Sequence, residues 1–281
     1  MKPARFAYQR AATTEHVLEA LHRSGGEARV IAGGQSLVPM LNMRLARPAL
    51  LVDIMHVAAL SHVDDDGARL TIGAGVRQRD LEMRHDTAAR QPLLAMALPW
   101  LGHVQTRSRG TVCGSIAHAD PSAELPLVLT ALRGEVHLRS RRRARRLPAE
   151  AFFTGMMVTA RAEDELIEAV SVPAVRPGTG YAFREISRRH GDFAIAAFAA
   201  VADEKELRLA IGGVAETPKA RVLPTDQGLD DALDTFAWNL EARDDLHASA
   251  RYRRELVRRI GREVVLAAMR DREARALKEA T

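Results

Sequence analysis

Hydrophobic residues in the first part of the chain come in short runs whose spacing switches between strand and helix periodicity. Ala28–Ala32 is a short, mostly apolar run typical of a strand, and it leads directly into Gly33 and Gly34. Leu37–Leu45 carries apolar residues at helical spacing, and Leu50–Ile54 is typical of a buried strand. The pattern predicts a glycine pair that joins a strand to a helix.

The middle of the chain alternates in the same way. Leu70–Ile72 indicates a strand, and Leu93–Leu101 and Leu125–Leu132 indicate buried helices. Glu135–Leu138 is a further strand candidate. A cluster of two prolines and two glycines between residues 173 and 180 then indicates a boundary.

Three more strands are expected beyond this boundary, at Tyr181–Ile186, Ala194–Ala202 and Leu207–Gly212. Their short spacing favours an antiparallel meander. From Gly228 onward the pattern is helical and rich in charge. The elements together predict an α+β protein.

Composition places the chain among ordinary globular proteins, with 281 residues, 47% hydrophobic and 27% charged. At roughly 100–200 residues per domain, this length suggests about two domains. No run approaches the roughly 18 consecutive apolar residues of a membrane span. Met1–Arg10 is mixed and charged, without the apolar stretch of a signal peptide. The expected location is the cytoplasm.

Cys113 is the single cysteine of the chain. One cysteine forms no internal disulfide, and it cannot supply the four thiolates of an iron–sulfur cluster or of a four-thiolate zinc site. Any iron–sulfur cluster that works with this chain must therefore come from a partner.

Much of the net charge of +5 lies in one arginine run, between residues 139 and 146. Such a run has three readings: a solvated strand end and turn, a nucleic-acid contact, or a docking site for an acidic partner. Nucleic-acid binders usually spread basic residues over a larger face and place aromatics nearby, and this run contains none. The solvated reading is favoured, and no nucleic acid is expected as a partner.

Two segments have the composition of anion-binding loops. The first is Ala32-Gly33-Gly34-Gln35-Ser36-Leu37, between a predicted strand and a predicted helix. Glycines let backbone N–H groups approach a phosphate closely, and a helix N-terminus adds partial positive charge. The second, Arg107–Ser115, holds hydroxyls and two glycines before another apolar run. Two such loops could clamp a pyrophosphate, although each loop in isolation is better explained as a turn or a tight packing corner.

Other common site motifs are missing from the sequence. No G-x-G-x-x-G follows a strand, no Walker A lysine motif occurs, and no H-E-x-x-H marks a zinc protease. The ten histidines are scattered, so no metal site is predicted.

Seven stretches, in order along nearly the whole chain, resemble the medium, FAD-binding subunit of molybdenum hydroxylases such as carbon monoxide dehydrogenase, and the FAD domain of xanthine dehydrogenase. They are AGGQSLVPMLNMRLARPALLVDI (32–54), TIGAGVRQRDLE (71–82), RSRGTVCGSIAHADPSAELPLVL (107–129), FFTG with EDELI (within 152–167), SRRHGDFAIA (187–196), IGGVAETPKAR (211–221) and DDLHASARYRR (244–254). Any one stretch is weak support, but the ordered set is specific.

The resemblance implies a two-subdomain FAD-binding fold of the vanillyl-alcohol oxidase (PCMH) type, followed by a C-terminal domain with a three-stranded antiparallel sheet and helices. It implies an N-terminal FAD-binding subdomain at 1–56, a second one at 57–176 and a C-terminal flavoprotein domain at 177–281.

The resemblance also implies the cofactor-binding residues. The pyrophosphate of FAD would lie between the two loops, and four further residues would lie close to the cofactor: Glu124 near the ribose, Ile167 packed on the cofactor, and Arg184 and Phe193 near the flavin. The expected set is Ala32, Gly33, Gly34, Gln35, Ser36, Leu37, Gly110, Thr111, Gly114, Ser115, Glu124, Ile167, Arg184 and Phe193. No catalytic residue is expected.

One position departs from the family pattern, because the second loop reads Thr-Val-Cys-Gly-Ser where the family has Thr-Ile-Gly-Gly-Ser. If the replaced glycine has a positive φ, the Cβ of Cys113 costs on the order of 1–2 kcal/mol. If it lies against a phosphate, its side chain crowds the cofactor. The favoured reading is a tolerated cysteine that packs into the core.

The implied function is electron transfer through FAD. A large partner subunit would hold the molybdenum cofactor, a small one two [2Fe–2S] clusters, and the assembly would be a dimer of heterotrimers. The substrate would be chosen in the molybdenum subunit, and the electron acceptor is open. The alternatives are a free-standing flavin oxidoreductase of the same fold and a non-enzymatic basic binding module.

Overall fold

The computed structural model of the protein describes residues 2–225 and 227–279. Its first sheet is parallel, with strand order β1-β3-β2, and helices connect the strands as parallel pairing requires. The elements are β1 (Ala7–Arg10), α1 (Thr14–Arg23), β2 (Ala28–Ile31), α2 (Leu37–Asn42) and β3 (Leu50–Asp53). The predicted placement of the glycine pair between a strand and a helix is confirmed.

The second sheet has five antiparallel strands in the order β4-β5-β10-β6-β7. A two-stranded hairpin and several short helices accompany it. In chain order the elements are β4 (Val63–Asp65), β5 (Arg69–Gly73), α3 (Gln78–Met83), α4 (Thr87–Arg90), α5 (Pro92–Ala97), α6 (Val104–Arg107), α7 (Val112–His118), α8 (Glu124–Ala131), β6 (Glu135–Arg139), β7 (Ala144–Pro148), α9 (Ala149–Phe152), β8 (Phe153–Gly155), β9 (Val158–Thr159) and β10 (Leu166–Pro173).

The third sheet has four antiparallel strands, in the order β11-β12-β13-β14, so the expected three-stranded sheet was wrong by one strand. The elements are β11 (Gly180–Ile186), β12 (Ala196–Ala202), β13 (Leu207–Gly212), β14 (Lys219–Leu223), α10 (Leu229–Asn239) and α11 (Ala250–Glu279). The missed strand, β14, lies at the sheet edge and buries only Leu223. An edge strand with little burial carries no clear apolar alternation, which is why the sequence pattern did not reveal it.

Both faces of the third sheet are buried, each against a different hydrophobic core. Ala197 and Ala199 of β12 belong to the core that α8 shares with the first two sheets. Phe198 and Ala200 belong to the core formed with α10 and α11. Alternate residues of a strand point to opposite faces, so the third sheet lies between α8 on one side and α11 on the other.

The arginine run forms the hairpin of β6 and β7, and most of its charge is paired within the chain. Arg139 pairs with Glu15 and Glu168, Arg141 with Glu19, and both Arg143 and Arg145 with Glu165. Four of the six arginines of the run thus have an acidic partner within the chain, and this arrangement fits the reading as a solvated strand end and turn.

Among the described residues, no helix is both long enough and apolar enough to cross a membrane.

Candidate functional site

A cavity of about 980 Å³ opens where the two glycine loops face each other. Its size lies at the upper end of the range typical of ligand and cofactor pockets. The wall includes every residue predicted from the sequence except Arg184. Residues from the third-sheet side, Phe193 and His247 among them, complete it. The cavity therefore draws on β2 of the first sheet, β10 of the second sheet, and the loops before β12 and before α11.

The first loop leaves β2 at Ile31 and enters α2 at Leu37. Gly34 has φ +71°, a left-handed conformation that glycine adopts without strain. The amide of Gln35 donates to the Gly33 carbonyl at 3.1 Å and braces the turn. Within the described ranges, the backbone N–H groups of residues 33–36 donate to no acceptor. Consecutive N–H groups left free around a left-handed residue form a concave site for an anion.

Gly33 brings the first loop into direct backbone contact with the second. A Cβ at this position would lie 1.9 Å from the carbonyl oxygen of Arg109 and 2.7 Å from Cα of Gly110. Neither backbone atom can move away without shifting its loop. Only glycine therefore allows the two loops to approach this closely.

The second loop is fixed by the segment that follows β5. Val112 N–H donates to the Val76 carbonyl at 3.1 Å, and Gln78 N–H donates to the Gly110 carbonyl at 2.8 Å. Thr111 then caps α7, because its hydroxyl accepts a hydrogen bond from Gly114 N–H at 3.0 Å. Thr111 and Gly114 thus shape the loop through each other.

The four remaining predicted residues differ in their placement. Glu124 begins α8 and Ile167 lies on β10, and both are buried in the cavity wall. Phe193 lies on the loop before β12 with 74% of its surface exposed, so its ring is free to cover a flat ligand. Arg184 lies outside the wall and pairs with Glu263 of α11.

Two family models together match most of the chain. The FAD binding domain in molybdopterin dehydrogenase matches residues 4–175, and the CO dehydrogenase flavoprotein C-terminal domain matches residues 181–268. The chain belongs to this FAD-binding family of molybdopterin dehydrogenases. Its cofactor is FAD.

Named relatives extend the likeness to full length. The chain is 38% identical to the 6-hydroxypseudooxynicotine dehydrogenase complex subunit alpha of Paenarthrobacter nicotinovorans, with 92% of each chain covered. It is 32% identical to the carbon monoxide dehydrogenase medium chain of Hydrogenophaga pseudoflava, with 90% of this chain and 93% of the relative covered.

Solved structures show the same fold. A carbon monoxide dehydrogenase of H. pseudoflava that lacks the Mo-pyranopterin moiety is similar with a TM-score of 0.89 at 30% identity, covering 98% of this chain and 99% of the other. Quinoline 2-oxidoreductase of Pseudomonas putida 86 is similar with a TM-score of 0.87 at 30% identity, covering 98% of this chain and 100% of the other.

The residues of the cavity fit FAD. The free N–H groups of residues 33–36 suit a pyrophosphate, which accepts hydrogen bonds and carries negative charge. The lining residues of the cavity come from β2, from both glycine loops and from the loop of Phe193, so the cavity offers contacts to more than one part of a dinucleotide. The exposed ring of Phe193 suits the flat flavin.

Cys113 does not carry the strain that a positive φ would impose. It lies in the first turn of α7, and it is not among the described residues with positive φ. Its side chain is buried, and its Sγ donates to the Ile72 carbonyl at 3.5 Å. Burial raises the pKa of the thiol to about 12, so the group stays protonated at neutral pH. The geometry supports the tolerated-substitution reading.

Replacing Cys113 by glycine is expected to leave FAD affinity within about threefold of the parent chain and to lower stability by about 1–2 kcal/mol, because a helix residue and a buried side chain are lost. FAD titration and thermal unfolding measure the two effects. A thiol reagent at pH 8 should label the native parent only after unfolding. A large gain in affinity in the glycine variant would show that the cysteine crowds the cofactor.

Several wall residues were not predicted as site residues. His118 and Asp120 lie within the quoted stretch 107–129, and His247 lies within 244–254, so the motifs that carry the resemblance contained the signal. Burial lowers the pKa of His118, which leaves its ring neutral at pH 7. Arg161 follows the short hairpin of β8 and β9, and no motif marks it.

The loop that carries Phe193 packs against the segment after α5. The ring of His190 lies 5.1 Å from that of Trp100, centroid to centroid. Gly191 approaches His103 so closely that a Cβ would lie 2.6 Å from the imidazole. Arg107 fixes the segment after α5, because its guanidinium donates to the Leu101 and Gly102 carbonyls, each at 3.1 Å. The cavity wall beside Phe193 is therefore built by contacts between the segment after α5 and the loop before β12.

Proposed function

We propose that this chain is the electron-transfer subunit of a heteromeric molybdenum hydroxylase. In this proposal electrons arrive from the [2Fe–2S] clusters of a small partner subunit and leave to an external acceptor. A large partner subunit holds the molybdenum cofactor, and the complex is a dimer of heterotrimers. The observation that carries the proposal is the row of free N–H groups at residues 33–36, because they face a cavity lined by thirteen of the residues expected to bind FAD.

Cysteine content supports the division of labour among subunits. A [2Fe–2S] cluster needs four protein ligands, and this chain has the single cysteine Cys113, whose sulfur is buried against Ile72. The clusters of the proposed pathway therefore belong to another chain. The relatives named above are themselves a medium chain and a complex subunit, which supports the same arrangement.

Bound FAD would supply both one- and two-electron redox chemistry, so it could take up single electrons from [2Fe–2S] clusters and pass them on singly or as a pair. The protein supplies position and electrostatics. The first loop would bind the pyrophosphate with its N–H groups, and Ile167 would pack against the cofactor from the wall. Phe193 would cover the flavin and reduce its contact with water, because the ring lies at the exposed rim. Glu124 would accept a hydrogen bond from a hydroxyl group of the cofactor.

The chain divides, in this proposal, into FAD-binding subdomains at 1–56 and 57–176 and a C-terminal flavoprotein domain at 177–281. Each range contains one of the three large sheets. The substrate is selected in the molybdenum subunit, so the substrates in the names of the relatives do not transfer to this chain.

The proposal is tested by purifying the full chain, recording its absorbance spectrum and identifying the cofactor released by heat. Flavin bands with FAD in the supernatant are expected. Purification of the tagged chain from its native host should also recover a cysteine-rich subunit and a molybdenum-containing subunit in equal amounts. A colourless chain that takes up no added FAD would contradict the cofactor role, and a flavin-loaded chain recovered alone would favour a free-standing oxidoreductase.

A further inference from the structure

A pair of buried carboxyl groups lies where α8 meets the third sheet. Glu124 is the first residue of α8, and its side chain reaches the cavity wall. Glu185 lies on β11, on the strand face that Phe183 packs against Trp100. The two residues are only 8% and 5% exposed. Their carboxyl groups lie close enough to interact both electrostatically and through a hydrogen bond. The pair therefore links the cavity wall to the third sheet.

Neither oxygen of Glu185 accepts a hydrogen bond from a donor group in the described part of the chain. The Glu124 carboxyl lies within hydrogen-bond reach, but two carboxylates cannot bond to each other unless one of them carries a proton. The hydroxyl of Ser187 lies close to the Glu185 carboxyl, but its proton is donated to the Arg189 carbonyl at 2.9 Å. A charged, unpartnered carboxylate at this depth is strongly unfavourable. Glu185 is therefore held in its neutral form unless a cation lies nearby.

The elements packed against this strand face bring no free cation. Helix α5 and strand β12 contain no charged residue, and Glu124 is the only one in α8. The positive charge of Arg107 on α6 attracts the Glu124 carboxylate. Its guanidinium, however, is already paired with Glu82, to whose carboxylate it donates at 2.8 and 3.1 Å. Asp120, in the turn before α8, adds negative charge, and His118 of α7 faces Asp120.

Two carboxyls that share a dry site without a cation retain one proton between them. Burial, and then the neighbouring Glu124, raise the pKa of Glu185 to about 8. Burial raises the pKa of Glu124 to about 7, with Asp120 adding to the effect and Arg107 opposing it. Both oxygens of Glu185 are buried without a donor, whereas Glu124 reaches the cavity wall, where a carboxylate can meet a ligand, so the shared proton resides on Glu185.

We propose that Glu185 is a protonated positioning residue: its carboxylic acid donates a hydrogen bond to the Glu124 carboxylate and so holds Glu124 in place as an acceptor for a hydroxyl group of FAD. The inference rests on the proposed FAD site. A hydrogen bond from a neutral acid to a carboxylate is short and strong, and it fixes the direction of the remaining acceptor oxygen. Loss of the proton would place two negative charges in contact and push Glu124 out of position.

The binding test is FAD titration of the stripped full chain between pH 6 and 9.5, followed by quenching of flavin fluorescence. The parent chain should lose about tenfold in FAD affinity as pH rises through about 8, a change that corresponds to about 1.4 kcal/mol. Glu185→Gln carries a permanent donor in place of the acid, so its affinity should stay flat with pH. Glu185→Ala should bind weakly at every pH, and only the glutamine should rescue it.

Glu241→Gln is the matched control, because Glu241 is exposed on the loop after α10. It should keep the pH profile of the parent chain. A flat profile in the parent chain, or a Glu185→Gln variant that retains the alkaline loss, would overturn the inference while leaving the FAD site standing.

Thermal unfolding without FAD gives a readout that does not depend on the cofactor. Both folded-state pKa values lie above the ordinary value near 4.5. The folded chain therefore binds more protons than the unfolded chain between pH 4.5 and 8, and this contribution to stability is lost as pH rises through 7 to 8. The Tm of Glu185→Gln, relative to the parent, should rise from pH 6 to about pH 8 and level off above that pH, where the carboxyl groups are ionised in both the folded and the unfolded chain. A constant difference would overturn the shared proton even in a chain that binds no FAD.

Discussion

Gly33→Ala is expected to lower FAD affinity about a hundredfold, or about 3 kcal/mol, with the overall fold retained. The added methyl group would lie 1.9 Å from the Arg109 carbonyl oxygen, so the two loops must separate by more than an ångström. That separation turns the N–H groups of residues 33–36 away from the second loop and opens the pyrophosphate site. FAD titration measures the loss, and circular dichroism checks the fold.

Gly25→Ala is the control for this substitution. Gly25 has φ +53°, in the turn after α1, and no atom lies within 4 Å of the Cβ position. Alanine there carries backbone strain of about 1 kcal/mol but meets no loop, so FAD affinity should be unchanged. Equal affinity in Gly33→Ala and the parent chain would mean that the contact between the loops does not form the cofactor site.

The elements that position the site follow from the sequence, because each is marked by local chemistry. The strand before Gly33 and the helix after Ser36 were predicted from hydrophobic spacing, and the structure has them as β2 and α2. The set of residues that line the cavity was predictable for a different reason. Motif resemblance placed thirteen of fourteen residues in one wall, although those residues are spread from position 32 to position 193.

What the sequence could not show depends on tertiary contact. Arg184 has the right chemistry for a site near a flavin, but β11 turns it toward α11 and Glu263. Its neighbour Glu185 points to the opposite face of the same strand, toward Glu124, and nothing in the local sequence marks it. Cys113 was weighed as a strained residue because the sequence does not give φ; α7 starts one residue earlier and removes the strain.

Arg253 belongs to the same class of residues, since its role appears only in the folded chain. It is 1% exposed, although it is an arginine on a helix rich in charge. Its guanidinium donates to the Gly213 carbonyl at 2.7 Å and to the Ile195 carbonyl, and it pairs with Asp245. Ile195 ends the loop that carries Phe193, and Asp245 lies two residues before His247. One side chain thus ties α11 to both segments that form the third-sheet wall of the cavity.

Arg253→Met is expected to lower the free energy of unfolding by about 3 kcal/mol, because it leaves two buried carbonyls without their donor and the Asp245 carboxylate without its cation. Urea unfolding followed by circular dichroism measures this loss, and FAD titration should show weaker binding, since the loops of Phe193 and His247 lose their common anchor. Arg251→Met is the matched control: Arg251 is exposed two residues away on α11, and its replacement should change stability by no more than about 0.5 kcal/mol. If Arg253→Met unfolded at the same urea concentration as this control, the buried guanidinium would not be what holds the cavity wall to α11.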